Sequence, residues 1–195
     1  GCVALTQLTF PSSIENIGDG AFWGCKALES VTIPKDAPLS KIDNNVFLHC
    51  ESLKTFTVPS NVTEIGRLAF DECITLKDIE FSKSVTTICS NAFKNCDALE
   101  TVKLPENLTT METSIFEGCD ALHNVIFPPT IHIIPSYTFY NCDKLEEIVI
   151  PDTIKKIDAY AFRNCGSLKS VTILNPQTGF GEHPFYECDE NAITI

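Results

Sequence analysis

No run of about eighteen apolar residues occurs in this chain, so no segment is predicted to cross a bilayer as a helix. Cations are scarce: 14 Lys and Arg stand against 26 Asp and Glu, a formal charge of −12. That balance argues against nucleic acid and anionic membrane as partners, because both are bound by cationic surfaces that displace counterions. Cys-x-x-Cys, a Gly-rich phosphate loop and Gly-x-Ser-x-Gly are all missing. The usual signatures of a zinc site, a phosphate cradle and a nucleophile elbow are therefore absent. There is also no initiator methionine. The chain opens mid-pattern at GCVAL, which reads as a mature or excised fragment.

What the chain does contain is one motif written eight times. AFWGC (21–25), VFLHC (46–50), AFDEC (69–73), AFKNC (92–96), IFEGC (115–119), TFYNC (138–142), AFRNC (161–165) and PFYEC (184–188) place an aromatic ring beside a thiol. A catalytic constellation is normally present once, so the recurrence points to packing. Leucines accompany the motif at 5, 28, 53, 76, 99, 122, 145 and 168, spaced by 23 except once by 25, where DAPLS (36–40) adds two residues. The cleanest unit runs Leu145, Ile148, Ile150, Pro151, Ile154, Ile157, Ala161, Phe162, Cys165.

A unit of this length cannot close a core alone and must bury its apolar row against its neighbours, which makes a solenoid. LEEIVI (145–150) alternates toward its end as a short half-buried strand does. Proline follows in six units, at 11, 34, 59, 105, 128 and 151, and ends the strand because it has no N–H to donate. The apolar-x-x-apolar stretch beyond it is expected to form a turn or helical turn. Strands of successive coils then stack as a parallel sheet about 4.8 Å apart, and eight coils give an arc roughly 40 Å long.

CDALETVKLP (96–105), with the 23-residue length, the proline after the strand and IGDGAF or IDAYAF in the return, resembles a leucine-rich repeat of the BspA-like, Treponema-type class. The likeness covers essentially the whole chain. It implies a cell-surface or secreted protein of host-associated bacteria, or of parasitic protists, from a family associated with adhesion to host matrix and with cell aggregation. The expected fold is an α/β repeat solenoid of about eight coils, with a parallel sheet on the concave face and short helical segments on the convex face. Residues 1–195 form a single domain whose last unit, 168–195, is degenerate.

Ten cysteines invite a disulfide framework, but nine of them (2, 25, 50, 73, 96, 119, 142, 165 and 188) share one repeat position. Stacked equivalents lie about 4.8 Å apart, beyond the Cβ separation of a disulfide. Nine also cannot pair off completely. A reduced structural ladder of small, buried thiols is expected, like the Asn/Cys position of leucine-rich repeats. Cys89 alone is out of phase and is either an exposed thiol or one more buried position. The phenylalanines form a parallel ladder, expected to be a spine on the convex side.

Function must then lie in positions that the repeat leaves free. Two side chains per coil are predicted to face out of the concave sheet. One column reads Gln7, Ser30, Thr55, Asp78, Thr101, Asn124, Glu147, Ser170; the other reads Thr9, Thr32, Thr57, Glu80, Lys103, Ile126, Val149, Thr172. The flanks are Ser and Thr, ordinary strand formers. The middle differs, so the candidate ligand patch is Asp78, Glu80, Lys103, Asn124, Ile126, Glu147 and Val149, acidic at one side and apolar at the other. The plain alternative is a solvated face with scattered surface apolar groups. Asp78 and Glu80 sit on an open sheet without a water-excluding cleft, which argues against glycoside hydrolysis.

The four histidines, 49, 123, 132 and 183, share no repeat position, so no metal site or triad is expected. Sequons at Asn61 and Asn107 occupy one repeat position and are expected to be exposed. The final unit has Leu174 in place of proline, Gln177 at an apolar position and Phe180 in place of the second isoleucine. Such a unit suits a terminal cap, yet AITI reads as the start of a ninth strand, which either closes the domain or leads into further chain. The expected role is a non-enzymatic, adhesin-like module that binds a protein or glycan, host extracellular matrix included, without cofactor or metal. The alternative is a structural spacer within a larger surface protein.

Overall fold

A computed structural model describes residues 1–188 and 193–194. The first sheet consists of β1 (Gln7–Thr9), β2 (Ser30–Thr32), β4 (Thr55–Thr57), β6 (Asp78–Glu80), β8 (Thr101–Lys103), β10 (Asn124–Ile126), β12 (Glu147–Ile150), β14 (Ser170–Ile173) and β16 (Ile193–Thr194). Every pairing is parallel and advances by one repeat, as in Asn124 opposite Thr101 and Glu147 opposite Ser170. β16 pairs with β14, so a ninth strand does begin at the chain's end. Residues 189–192 and 195 of the degenerate unit lie outside the described residues. The middle residue of each strand points inward and its neighbours point out, the half-buried pattern expected of a period of two.

The expected helical turns on the return limb are not there. No helix occurs among the described residues; instead the limb forms a second parallel sheet of two-residue strands. These are β3 (Lys41–Ile42), β5 (Glu64–Ile65), β7 (Thr87–Ile88), β9 (Thr110–Met111), β11 (Ile133–Ile134), β13 (Lys156–Ile157) and β15 (Gly179–Phe180). The physical reason is competition for partners. Two residues between turns are too few to nucleate a helix. A neighbouring coil in the same conformation meanwhile offers backbone partners at once. Glu112 N–H donates to Ile88 O at 3.0 Å and Asp158 N–H to Ile134 O at 2.8 Å.

Each coil closes through two left-handed residues. Among the described residues, thirteen non-glycine residues and three glycines have positive φ, two in every coil. One column holds Gly20, Asn45, Leu68, Asn91, Ser114, Tyr137, Tyr160 and His183; the other holds Gly24, His49, Glu72, Asn95, Gly118, Asn141, Asn164 and Glu187. Asn and Gly recur there because they adopt this conformation at least cost. The turn between them is held to the next coil by bonds such as Phe70 N–H to Ala92 O at 2.8 Å and Phe93 N–H to Ile115 O at 3.0 Å.

The turn carries the two ladders of the motif. Phe47, Phe70, Phe93, Phe116, Phe139 and Phe162 are fully buried and stack in sequence. Phe70 and Phe93, for example, lie 5.2 Å apart with planes inclined by 6°. The ladder is a spine, as expected, and it is core rather than surface. All ten cysteines are free thiols, and those from Cys25 to Cys165 in the ladder are buried. From Cys50 onward each ladder thiol donates to the carbonyl of the ladder phenylalanine one coil earlier: Cys73 to Phe47 at 3.3 Å, Cys96 to Phe70 at 3.2 Å and Cys165 to Phe139 at 3.1 Å, for example. The same carbonyl accepts the N–H of its own coil's cysteine, as Phe70 O does from Cys73 at 3.2 Å. Burial pushes the Cys50 thiol up to about 12 and those of Cys73, Cys96 and Cys119 well above their ordinary range. They are structural donors and poor nucleophiles.

Candidate functional site

All seven residues of the predicted patch point outward and are exposed: Asp78 and Glu80 on β6, Lys103 on β8, Asn124 and Ile126 on β10, Glu147 and Val149 on β12. They are exposed because their strand neighbours Ile79, Val102, Val125 and Ile148 take the inward positions. Ile126 and Val149 remain 51% and 57% exposed, large values for branched apolar side chains.

Geometry divides this patch. The first sheet's ladder is continuous within β1–β2, β4–β6, β8–β10 and β12–β14–β16, and opens between these groups. At the opening between β6 and β8 lies a dent of about 390 Å³ lined by Asp78, Glu80, Lys103 and, at its rim, the Lys83–Glu106 ion pair. Glu80 accepts a hydrogen bond from Thr57 Oγ1 at 3.3 Å and also borders a second dent toward Lys35. Glu147 lines a separate dent with Glu100, His123 and Lys144 at the opening before β12. Asp78, Glu80 and Lys103 are thus brought together. Glu147 is set apart from them, and Asn124, Ile126 and Val149 lie on the strand faces between.

Several residues resolve differently from their appearance in sequence. Asn61 and Asn107 are exposed, yet their amides staple one coil to the previous one, donating to Ala37 O and Lys83 O at 2.9 Å each. Cys89 is half-buried, with its thiol raised to about 11 chiefly by burial. Its N–H makes the ordinary second-sheet bond to Ile65 O at 2.9 Å. His132 donates from Nδ1 to Thr153 O at 3.0 Å, since a carbonyl only accepts. No cluster of three metal-ligating side chains occurs among the described residues.

One surface feature escaped the sequence reading. All four tyrosines, 137, 140, 160 and 186, form one array: the Arg163 guanidinium lies 5.7, 5.6 and 5.1 Å from the rings of Tyr140, Tyr160 and Tyr186, and Tyr137 packs on the rings of Tyr140 and Tyr160. Glu187 holds Arg163 Nε at 3.2 Å and Glu182 accepts from the Tyr160 hydroxyl at 2.9 Å. The signal was present: every tyrosine falls on one of two turn columns three residues apart, in the last three coils. Tyr137 and Tyr160 stack at 5.4 Å, while Tyr140 and Tyr186 sit on either side of the guanidinium along the solenoid axis.

Stacked parallel coils with an inward leucine row, a phenylalanine spine and a thiol-to-carbonyl ladder define the leucine-rich-repeat class of solenoid. Within that class, the family model described as BspA type leucine rich repeat region matches six copies over residues 1–100 and 63–192. The chain belongs to this family of repeat scaffolds. No curated protein matches the chain. Among solved structures, a leucine-rich repeat protein of Bacteroides ovatus is 28% identical with a TM-score of 0.76, over 96% of this chain and 54% of that one. The chain therefore spans about half of that relative's length. The T. pallidum leucine rich repeat protein shares 24% identity and a TM-score of 0.76, over 96% of this chain and 80% of that one. A leucine-rich repeat protein of Eubacterium ventriosum shares 22% identity and a TM-score of 0.66, over 97% and 60%.

Proposed function

We propose that this chain is a non-enzymatic interaction module of a cell-surface or secreted protein, adhesin-like, engaging a protein or glycan partner through the outward face of the first sheet. The observation that carries this reading is the change of character along that face. Ser30, Thr55 and Ser170 flank a central stretch in which Asp78, Glu80 and Lys103 meet at an opened ladder, with exposed Ile126 and Val149 beside them. A rigid sheet presenting charged and apolar groups in fixed register supplies recognition at little ordering cost. An extracellular setting accords with the family, and no helix among the described residues is long and apolar enough to cross a membrane. Host extracellular matrix is the first class of partner to screen.

The test is a binding screen against immobilised matrix proteins and glycans at low and physiological salt, beside the Asp78→Lys/Glu80→Lys double variant. Saturable binding lost in the double variant supports the module and its site. A folded chain that binds none of them moves the assignment to a structural spacer, the reading favoured by the uniform Ser and Thr of the flanking strands.

A further inference from the structure

The second sheet has one interruption with a definite chemical cause. It runs β3–β5–β7–β9, stops, and resumes as β11–β13–β15. In the third, fourth, fifth, seventh and eighth coils the residue after the second-sheet strand donates its N–H to the previous coil: Gly66 to Ile42 at 2.8 Å, Cys89 to Ile65 at 2.9 Å, Glu112 to Ile88 at 3.0 Å, Asp158 to Ile134 at 2.8 Å and Gly181 to Ile157 at 2.7 Å. In the sixth coil that residue is Pro135, which has no N–H. The rung below is lost with it. Thr109 N–H bonds Thr86 O and Lys155 N–H bonds His132 O, but no backbone bond joins residues 132–135 to Thr109 or Met111. The carbonyls of Thr109 and Met111 and the N–H of His132 are left facing the break.

A cavity of about 570 Å³ opens there, within the range of small-ligand sites. Its walls combine those open carbonyls with Glu112, whose carboxylate is held in place by the N–H and hydroxyl of Ser90 at 2.8 and 2.9 Å. Met111, Pro135 and Ile133, which is 47% exposed, supply an apolar side. No Lys or Arg lines it. With open carbonyls and two carboxylates, Glu112 and the Lys156-paired Asp158, the wall is rich in acceptors, and a matching ligand brings several donors in a small volume together with an apolar face.

We infer that the break between β9 and β11 is a binding site for a neutral sugar ring. Its hydroxyls donate to Thr109 O, Met111 O and Glu112, and its C–H face covers Met111 and Ile133. A simple ammonium group satisfies the carboxylate but leaves the apolar wall uncovered. A sugar ring satisfies both. This site lies on the second sheet and is independent of the first-sheet patch.

The test is an amide NMR titration of the 195-residue chain with glucose, galactose and N-acetylglucosamine, each raised to about 10 mM so that even a millimolar site fills. The expected result is a saturable shift for one or more sugars, confined to amides of 109–113 and 130–134. Two variants sharpen it. Pro135→Asp restores the missing donor with a residue that Asp43 and Asp158 already place at this repeat position, and it should weaken binding at least about tenfold by closing the break. Glu112→Gln keeps the side chain's shape and should weaken it several-fold. Asp78→Lys/Glu80→Lys should bind sugar like the parent. No saturable shift with any of the three sugars, shifts centred on the first sheet, or undiminished binding by a folded Pro135→Asp chain would overturn the assignment. So would a response at the break to an extended peptide and to none of the sugars.

Discussion

The thiol of Cys119 donates to the carbonyl of Phe93, 23 residues upstream of its own coil's Phe116, at 3.2 Å. That carbonyl also lies in the turn whose ring stacks on Phe70 and Phe116. One small side chain therefore ties the hydrogen-bond ladder to the aromatic ladder. Removing it in Cys119→Ala leaves a void and a carbonyl short of a donor, which should cost about 2 kcal/mol in chemical denaturation. Cys119→Ser keeps a donor and should cost less.

The same burial sets thiol reactivity. In the native chain an alkylating reagent should label Cys2 first, Cys89 and Cys188 more slowly, and the buried ladder thiols hardly at all. Denatured but unreduced protein should yield ten free thiols by mass. A product with several disulfides would contradict the ladder.

Asp71 is a cost that the fold carries. Burial first, and then the neighbouring Glu72, raise its carboxyl from 3.8 to about 6, and its Oδ1 is buried without a partner. The folded chain holds this proton more tightly than the unfolded one. Its penalty is thus full at neutral pH and fades as pH falls through about 6 toward 4, so this group makes stability rise on mild acidification. Asp71→Asn should stabilise the protein at pH 7 by roughly 1 kcal/mol, a value discounted for solvent screening because the group is partly exposed. The gain should vanish near pH 4. Denaturant midpoints of both chains across that range give the comparison.

Leu68 adopts φ 56° in a column where Asn45 and Asn91 stand in neighbouring coils. A γ-branched side chain bears the full left-handed penalty without a polar group to offset it. Leu68→Asn should stabilise by about 0.5–1 kcal/mol, and Asn91→Leu should destabilise by a similar amount. Thermal midpoints measured together give both signs.

Arg163 lies against three tyrosine rings and is held by Glu187. Arg163→Ala should lower stability by about 1 kcal/mol. It should also weaken the tyrosine band of the near-ultraviolet circular dichroism, since every tyrosine of the chain belongs to this array. An unchanged band would show that the rings are positioned without the cation.

By itself the sequence determined the solenoid, its coil length, the inward leucines, the paired Phe and Cys ladders and the outward direction of Asp78, Glu80, Lys103, Asn124, Ile126, Glu147 and Val149. These follow from periodicity: a side chain that recurs every 23 residues must meet its own copy in the next coil, and alternation within a strand fixes which faces are buried. Tertiary structure alone decided the rest. The return limb became a second sheet because a neighbouring coil supplied the partners that no local pattern announces. Tyr140, Arg163 and Tyr186 share one repeat position, so periodicity alone puts them in one column, but only packing brought the guanidinium within 5.7 and 5.1 Å of the two rings. The break at Pro135 is the sharpest case: proline is plain in the sequence, but only the packed coils show that its missing N–H was the one that Met111 would have received.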